Sequence, residues 1–288
     1  MTSREDRHSI FRSAQEDIAS AERQPKTPQS ASPAYRLSFR DLDFLKREDL
    51  RPVRLQLELL KAELLMTEAG VDSTVVFFGG ARIPSPENAA QARTPLLGEL
   101  SKYYDEARRF AARCTQASLE TDGRRHVIVT GGGPGVMEAG NRGAEEAGGR
   151  SIGLGIVLPH ESAPNEYVTP ELSFNFHYFA IRKMHFLMRA EAIAVFPGGF
   201  GTLDELFEAL TLIQTNRMAP VPILLFGESF WRSIIDFEAL AASGTIADED
   251  LELFSFVETA EQAWEILSTT IDEAEARVDA ERIGLQED

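Results

Sequence analysis

From Ser73 onward the chain alternates short, continuously apolar runs with longer stretches of helical period. Thr74 to Phe78 (TVVFF), His126 to Thr130 (HVIVT), Ser151 to Leu158, Ala192 to Phe196 (AIAVF) and Val221 to Phe226 (VPILLF) read as five strands, and Leu253 to Val257 as a short sixth. Runs that are apolar at nearly every position belong to strands covered on both faces. Helical segments separate most of them, including a long amphipathic stretch from about Ala89 to Ser118 and a helix that stops near Ala147 at Gly148-Gly149. The fold class this predicts is α/β, a Rossmann-like, doubly wound parallel sheet with helical additions at its N- and C-terminal ends. Between His160 and Tyr178 the alternation of Leu172, Phe174, Phe176 and Tyr178 allows one more short strand.

Upstream the pattern differs. Residues 1–33 are polar, mixed in charge and end among Pro25, Pro28 and Pro33, so a mobile tail is expected. Over 34–70, leucines at helical spacing (Leu50, Leu55, Leu57, Leu59, Leu60, Leu64, Leu65) predict one or two helices packed on the main body, which occupies 71–288.

Composition narrows the setting. Net charge is −17, but the stretch from Asp248 to Asp288 holds fourteen acids against two arginines, so the acidity belongs to a C-terminal helix and the middle is nearly balanced. No dense basic stripe exists for a nucleic-acid groove, while a small anion held by a few local donors is compatible with the charge pattern. No apolar run is long enough to span a bilayer and the N-terminus has no apolar signal region, so a membrane partner is not expected. A single cysteine, Cys114, makes neither an internal disulfide nor a cysteine metal cage, and a reducing, cytoplasmic compartment fits.

Three glycine turns follow predicted strands: Gly79-Gly80-Ala81-Arg82, Gly131-Gly132-Gly133-Pro134-Gly135 and Pro197-Gly198-Gly199-Phe200-Gly201-Thr202. Ligands of open parallel sheets bind beyond the carboxyl ends of the strands, where glycine admits close backbone approach and a helix start favours phosphate. Glycine also makes tight turns with no ligand at all, but three such turns together favour an anion site. Val136 stands where a G-x-G-x-x-G pattern needs its last glycine, and no G-x-x-x-x-G-K-[ST] occurs, so a monophosphate suits the turns better than a dinucleotide or triphosphate.

Two readings compete at Thr202-Leu-Asp-Glu205. In one, Thr202 is an N-cap, Glu205 closes a capping box, and Glu205 and Glu208 lie in solvent opposite the apolar sector of Leu203, Leu206, Phe207 and Leu210. In the other, Glu205 faces the crevice beside the phosphate-binding backbone. Helical arithmetic does not choose between them. Arg182 and Lys183, on the preceding helix, point about 100° apart, so at most one serves a given site. His185 among Met184, Phe186 and Leu187, and Cys114 on an amphipathic helix, both read as packing residues.

Arg182-Lys183 followed by Pro197-Gly-Gly-x-Gly-Thr-x-x-Glu205 resembles the Lonely Guy family of nucleoside 5'-monophosphate phosphoribohydrolases, often labelled lysine decarboxylase-like, and Thr130-Gly-Gly-Gly-Pro-Gly-Val-Met137-Glu138 is similar to its second glycine motif. The resemblance covers about Ser73 to Gly227; the N-terminal extension and the Gln214-Thr215 continuation look like the long bacterial group, which favours plain AMP over cytokinin precursors. It implies a homodimer or higher homo-oligomer that hydrolyses the N-glycosidic bond of AMP, or of an N6-modified AMP, to free base and ribose 5-phosphate, without metal or other cofactor. It places catalysis on Arg182 and Glu205. Substrate binding falls on Gly79, Gly80, Gly132, Gly133, Gly135, Met137, Glu138, Lys183, Gly198, Gly199, Gly201 and Thr202. The alternative is a non-catalytic nucleotide or molybdenum-cofactor carrier of the same fold; retention of both Arg182 and Glu205 argues for the hydrolase.

Overall fold

The computed structural model describes residues 11–158 and 163–284, with side chains through 273. Residues 1–10 of the expected tail and the distal side chains of the acidic C-terminal helix lie outside this range. The chain divides into two compact units, Met1–Leu57 and Glu58–Asp288.

In the first unit, α1 (Ala14–Glu22) lies within the stretch expected to be a mobile tail. Its start is a capping box: Ser13 Oγ accepts from the amide of Glu16, and the Glu16 carboxylate accepts from the amide of Ser13 at 2.7 Å. The Ser-x-x-Glu spacing is a local signal that a search for apolar stripes passes over. A short α2 (Leu42–Leu45) follows, N-capped by Asp41, and then α3 (Arg51–Glu68), within which the division between units falls. In the second unit Ala62 and Met66 of α3 are buried, whereas Leu60 and Leu64 stay exposed: the small and flexible side chains of this helix, rather than those leucines, meet the core.

The rest of the second unit runs β1 (Thr74–Phe78), α4 (Pro95–Glu99), α5 (Lys102–Leu119), β2 (Val127–Thr130), α6 (Val136–Glu146), β3 (Ser151–Ile156), β4 (Ser173–Phe176), α7 (Phe179–Leu187), β5 (Ala190–Val195), α8 (Phe200–Gln214), β6 (Ile223–Phe226), α9 (Glu228–Ile234), α10 (Phe237–Ala242), β7 (Ser255–Val257) and α11 (Ala260–Gly284). The seven strands form one parallel sheet in the order β4-β3-β2-β1-β5-β6-β7. The extra strand is β4, paired with β3. The stretch from Ala89 to Ser118 is not one helix. Thr94 caps a new start at Pro95, that helix ends at Glu99, and the chain re-enters a helix at Lys102.

Residues of β1 alternate between two cores, one on each face of the sheet. Val75 and Phe77 meet Phe110 of α5 and Val136 of α6; Val76 and Phe78 share the other core with Phe186 of α7 and Leu206 of α8. Burial on both faces accounts for the unbroken apolar runs. Cys114 is buried in the first of these cores, as its place on an amphipathic helix predicts. No described helix is long and apolar enough to cross a membrane.

Candidate active site

The direction of strand order reverses at β1, flanked by β2 on one side and β5 on the other, and the crevice beyond their carboxyl ends holds a cavity of about 750 Å³. All three glycine turns reach it, with Gly79, Gly80, Gly131, Gly133, Gly198, Gly199, Gly201 and Thr202 in its wall together with Met137, Arg182 and Glu205. The turns brace one another: the amide of Gly80 donates to the carbonyl of Pro197 at 2.9 Å, and the amide of Val136 donates to the carbonyl of Gly80 at 3.3 Å.

Four of the expected binding residues take other places. Gly132 and Gly135 adopt positive φ of 74° and 70° and shape the second turn from behind the wall. Glu138 accepts from the Tyr104 hydroxyl at 2.7 Å. Lys183 pairs with Asp204 at 2.8 Å and Glu208 at 2.9 Å in a neighbouring groove; burial alone would lower its pKa, but the two carboxylates hold it above the ordinary lysine value. Adjacent residues on a helix cannot face one site, and here Arg182 takes the cavity.

The Arg182 guanidinium makes a backbone contact and a ring contact. Its Nε donates to the carbonyl of Leu154 at 2.7 Å, and its planar head lies 5.2 Å from the ring centre of Phe186. Its tip rests on Gly131, where a Cβ would meet Nη2 at 2.6 Å and Met137 Sδ at 2.7 Å.

The capping box at Thr202 does not form. The N-cap of α8 is Gly199, Thr202 lies inside the first turn, and no side chain caps the helix start. Gly198 makes this possible, because a Cβ there would collide with Thr202 Oγ1, so the chain turns into the helix directly after β5. Glu205 is therefore not tied to an N-cap amide; it is 8% exposed and faces the cavity. Burial raises its pKa to about 7, against the lowering influence of Lys183 and Arg182. His185, expected as packing, is buried against the ring of Phe176, and burial lowers its pKa.

Arg82 of the first glycine turn, Asp204 beside Glu205 and Phe179 at the start of α7 also line the cavity. Behind the second turn, Asn165 Nδ2 donates to the carbonyls of Gly132 and Gly133 at 3.1 and 3.0 Å and to Asn141 Oδ1 at 2.9 Å. Asn141 also accepts from Thr130 Oγ1 at 2.7 Å, and Thr130 Oγ1 accepts from the amide of Gly132 at 2.9 Å. Apolar periodicity is blind to such polar residues, which pair only after distant segments meet. Among the described residues no group of three His, Cys, Asp or Glu side chains is placed to hold a metal ion.

Parts of the chain are similar to known proteins. A family model described as "possible lysine decarboxylase" matches residues 137–267. The cytokinin riboside 5'-monophosphate phosphoribohydrolase LOG2 of Arabidopsis thaliana is 27% identical over 142 residues, which are 49% of this chain and 62% of the relative. Among solved structures, the molybdenum cofactor binding protein of Rippkaea orientalis aligns with a TM-score of 0.44 at 19% identity, covering 69% of this chain and 98% of that one. The Moco carrier protein of Chlamydomonas reinhardtii aligns with 0.44 at 18%, covering 70% and 99%. The match to the lysine decarboxylase-like family model spans under half of this chain, and the chain covers less than two thirds of the length of the plant relative.

Proposed function

We propose that the chain hydrolyses the N-glycosidic bond of a purine nucleoside 5'-monophosphate, AMP before its N6-modified forms. The observation that carries this is the burial of Glu205 in the wall of the cavity that Arg182 also lines, about one and a half helical turns past an uncapped helix start. The open N–H groups at the start of α8 and the Gly198 to Thr202 backbone hold the phosphate. The C1'–N9 bond breaks with its electron pair leaving on the base, which takes up a proton. The oxygen of water then bonds to C1' and loses a proton, giving adenine and ribose 5-phosphate. The ionised Glu205 stabilises the oxocarbenium-like state and orients the water, while Arg182 complements phosphate or departing base as a fixed cation. The described lining of the cavity contains no lysine, so a Schiff-base cofactor of the kind a lysine decarboxylase uses has no anchor in it.

A second copy of the chain is part of this reading. Phe179 and Met184 of α7 and Phe200 and Phe207 of α8 are exposed beside the cavity, with Phe200 at 93%, and a homodimer would cover them. The test is incubation with a panel of nucleoside 5'-monophosphates, followed by chromatography for free base. AMP is cleaved and adenosine is not, since each lost phosphate contact forfeits about 1.5–3 kcal/mol. Equal turnover of adenosine refutes the phosphate assignment, and tight AMP binding without base release establishes a carrier.

A further inference from the structure

Whatever fixes α7 also fixes Arg182, and the start of α7 supplies no cap of its own: Tyr178 occupies the N-cap position and makes no side-chain capping bond. The two amides that lead into the helix are met from α3. The amide of His177 donates to Glu58 Oε1 at 2.8 Å and the amide of Tyr178 donates to Glu58 Oε2 at 3.1 Å, across some 120 residues of sequence. A carboxylate on the N-cap amide and the amide before it also lies at the favourable end of the helix dipole. Just beyond the other end of α7, Arg189 donates to both oxygens of Glu63, at 2.6 and 2.8 Å, and to Thr67 Oγ1 at 3.0 Å. Helix α3 therefore grips α7 at both ends.

The two grips differ in what they reach. The amide of Arg182 donates to the carbonyl of Tyr178 at 3.2 Å, so Tyr178, whose own amide Glu58 holds, lies one helical turn before Arg182. Arg189 lies on the far side, beyond the last turn. Neither glutamate lines the cavity.

We propose that Glu58 is a positioning residue for Arg182. By bonding the two amides that lead into α7 it holds the backbone from which Arg182 reaches Leu154 and the second glycine turn. This rests on the reading that Arg182 acts on the substrate. Without Glu58 the first turn frays and the guanidinium leaves Gly131, although the sheet and the Gly198 to Thr202 turn are untouched.

A double-mutant cycle tests it on the full chain. Glu58→Ala lowers kcat for AMP about tenfold with KM changed less than threefold; Glu58→Gln, which keeps an acceptor oxygen, recovers most of the loss. Arg182→Ala lowers kcat further, and adding Glu58→Ala to it changes kcat by less than twofold. A merely structural Glu58 lowers activity by the same factor in both backgrounds, and that outcome, or an unchanged kcat in Glu58→Ala, overturns the proposal. The same cycle is run on the Kd for ribose 5-phosphate. A wild-type chain that binds this probe but releases no base refutes the hydrolase, and the coupling in Kd then decides the role of Glu58. A wild-type chain that neither binds nor cleaves overturns both.

Discussion

Arg182 lies against Gly131 so closely that a side chain on that glycine has nowhere to go: a Cβ would stand 2.6 Å from Nη2 of the arginine. The other near atom is Met137 Sδ at 2.7 Å. Both are the far ends of flexible side chains. Gly131→Ala is therefore expected to fold, with a loss of stability under about 1 kcal/mol, while it pushes the guanidinium off its seat. Turnover of AMP falls about 10–100-fold, in steady-state assays alongside a melting curve. Full activity in Gly131→Ala would separate the seat of Arg182 from catalysis.

Glu205 carries a stability cost that its chemistry explains. Its pKa, raised to about 7 by burial, lies above the unfolded value of 4.5, so its contribution to stability is fully present below about pH 4.5 and is lost as pH rises through 7. Glu205→Gln removes that loss. At pH 8 the variant is expected to be more stable than the parent by up to about 2–3 kcal/mol, and near pH 4.5 the two melt alike. Turnover falls by about 10²–10³ as the charge facing the oxocarbenium-like state disappears. A variant that keeps near-normal turnover removes Glu205 from the mechanism.

The same ionisation sets the rate profile. If the carboxylate is the working form, kcat/KM for AMP rises with pH and levels off above about 7. A profile falling through that value would assign Glu205 the acid's role, delivering a proton to the departing base.

Asn141 ties three segments together out of contact with solvent. It accepts from Thr130 and Asn165 and donates to Ser151 Oγ at 3.0 Å. Asn141→Leu leaves those partners buried and unsatisfied, and denaturant unfolding is expected to show a loss of about 2–4 kcal/mol. The loosened Gly132 turn raises KM for AMP more than it lowers kcat.

Truncation distinguishes the segments before the sheet. Removal of residues 1–33 is expected to leave folding and turnover near normal. Removal through Ala69 strips Ala62 and Met66 from the core and takes away Glu58 and Glu63, so the product aggregates in size-exclusion runs. A soluble, active chain starting near Val71 shows the segment to be dispensable.

Much of the sheet was legible before any coordinates, because a strand buried on both faces records its surroundings residue by residue: TVVFF, HVIVT and AIAVF each lie on an observed strand to within two residues. The glycine turns were legible for a similar reason, since close backbone approach excludes side chains whatever else is nearby. The start of α8 was not. Thr202-Leu-Asp-Glu205 satisfies a capping box as a string, and only the packing of Gly198 on Thr202 moves the helix start back to Phe200 and turns Glu205 inward. Helical arithmetic separated Arg182 from Lys183 but did not say which faces the cavity; that choice belongs to the carbonyl of Leu154 and the carboxylates of Asp204 and Glu208. Glu58 carries no sequence signal at all, as its partners are amides some 120 residues away. Sequence by itself determined the elements whose environment is local or uniform, and tertiary structure decided every residue whose role depends on which distant backbone group it meets.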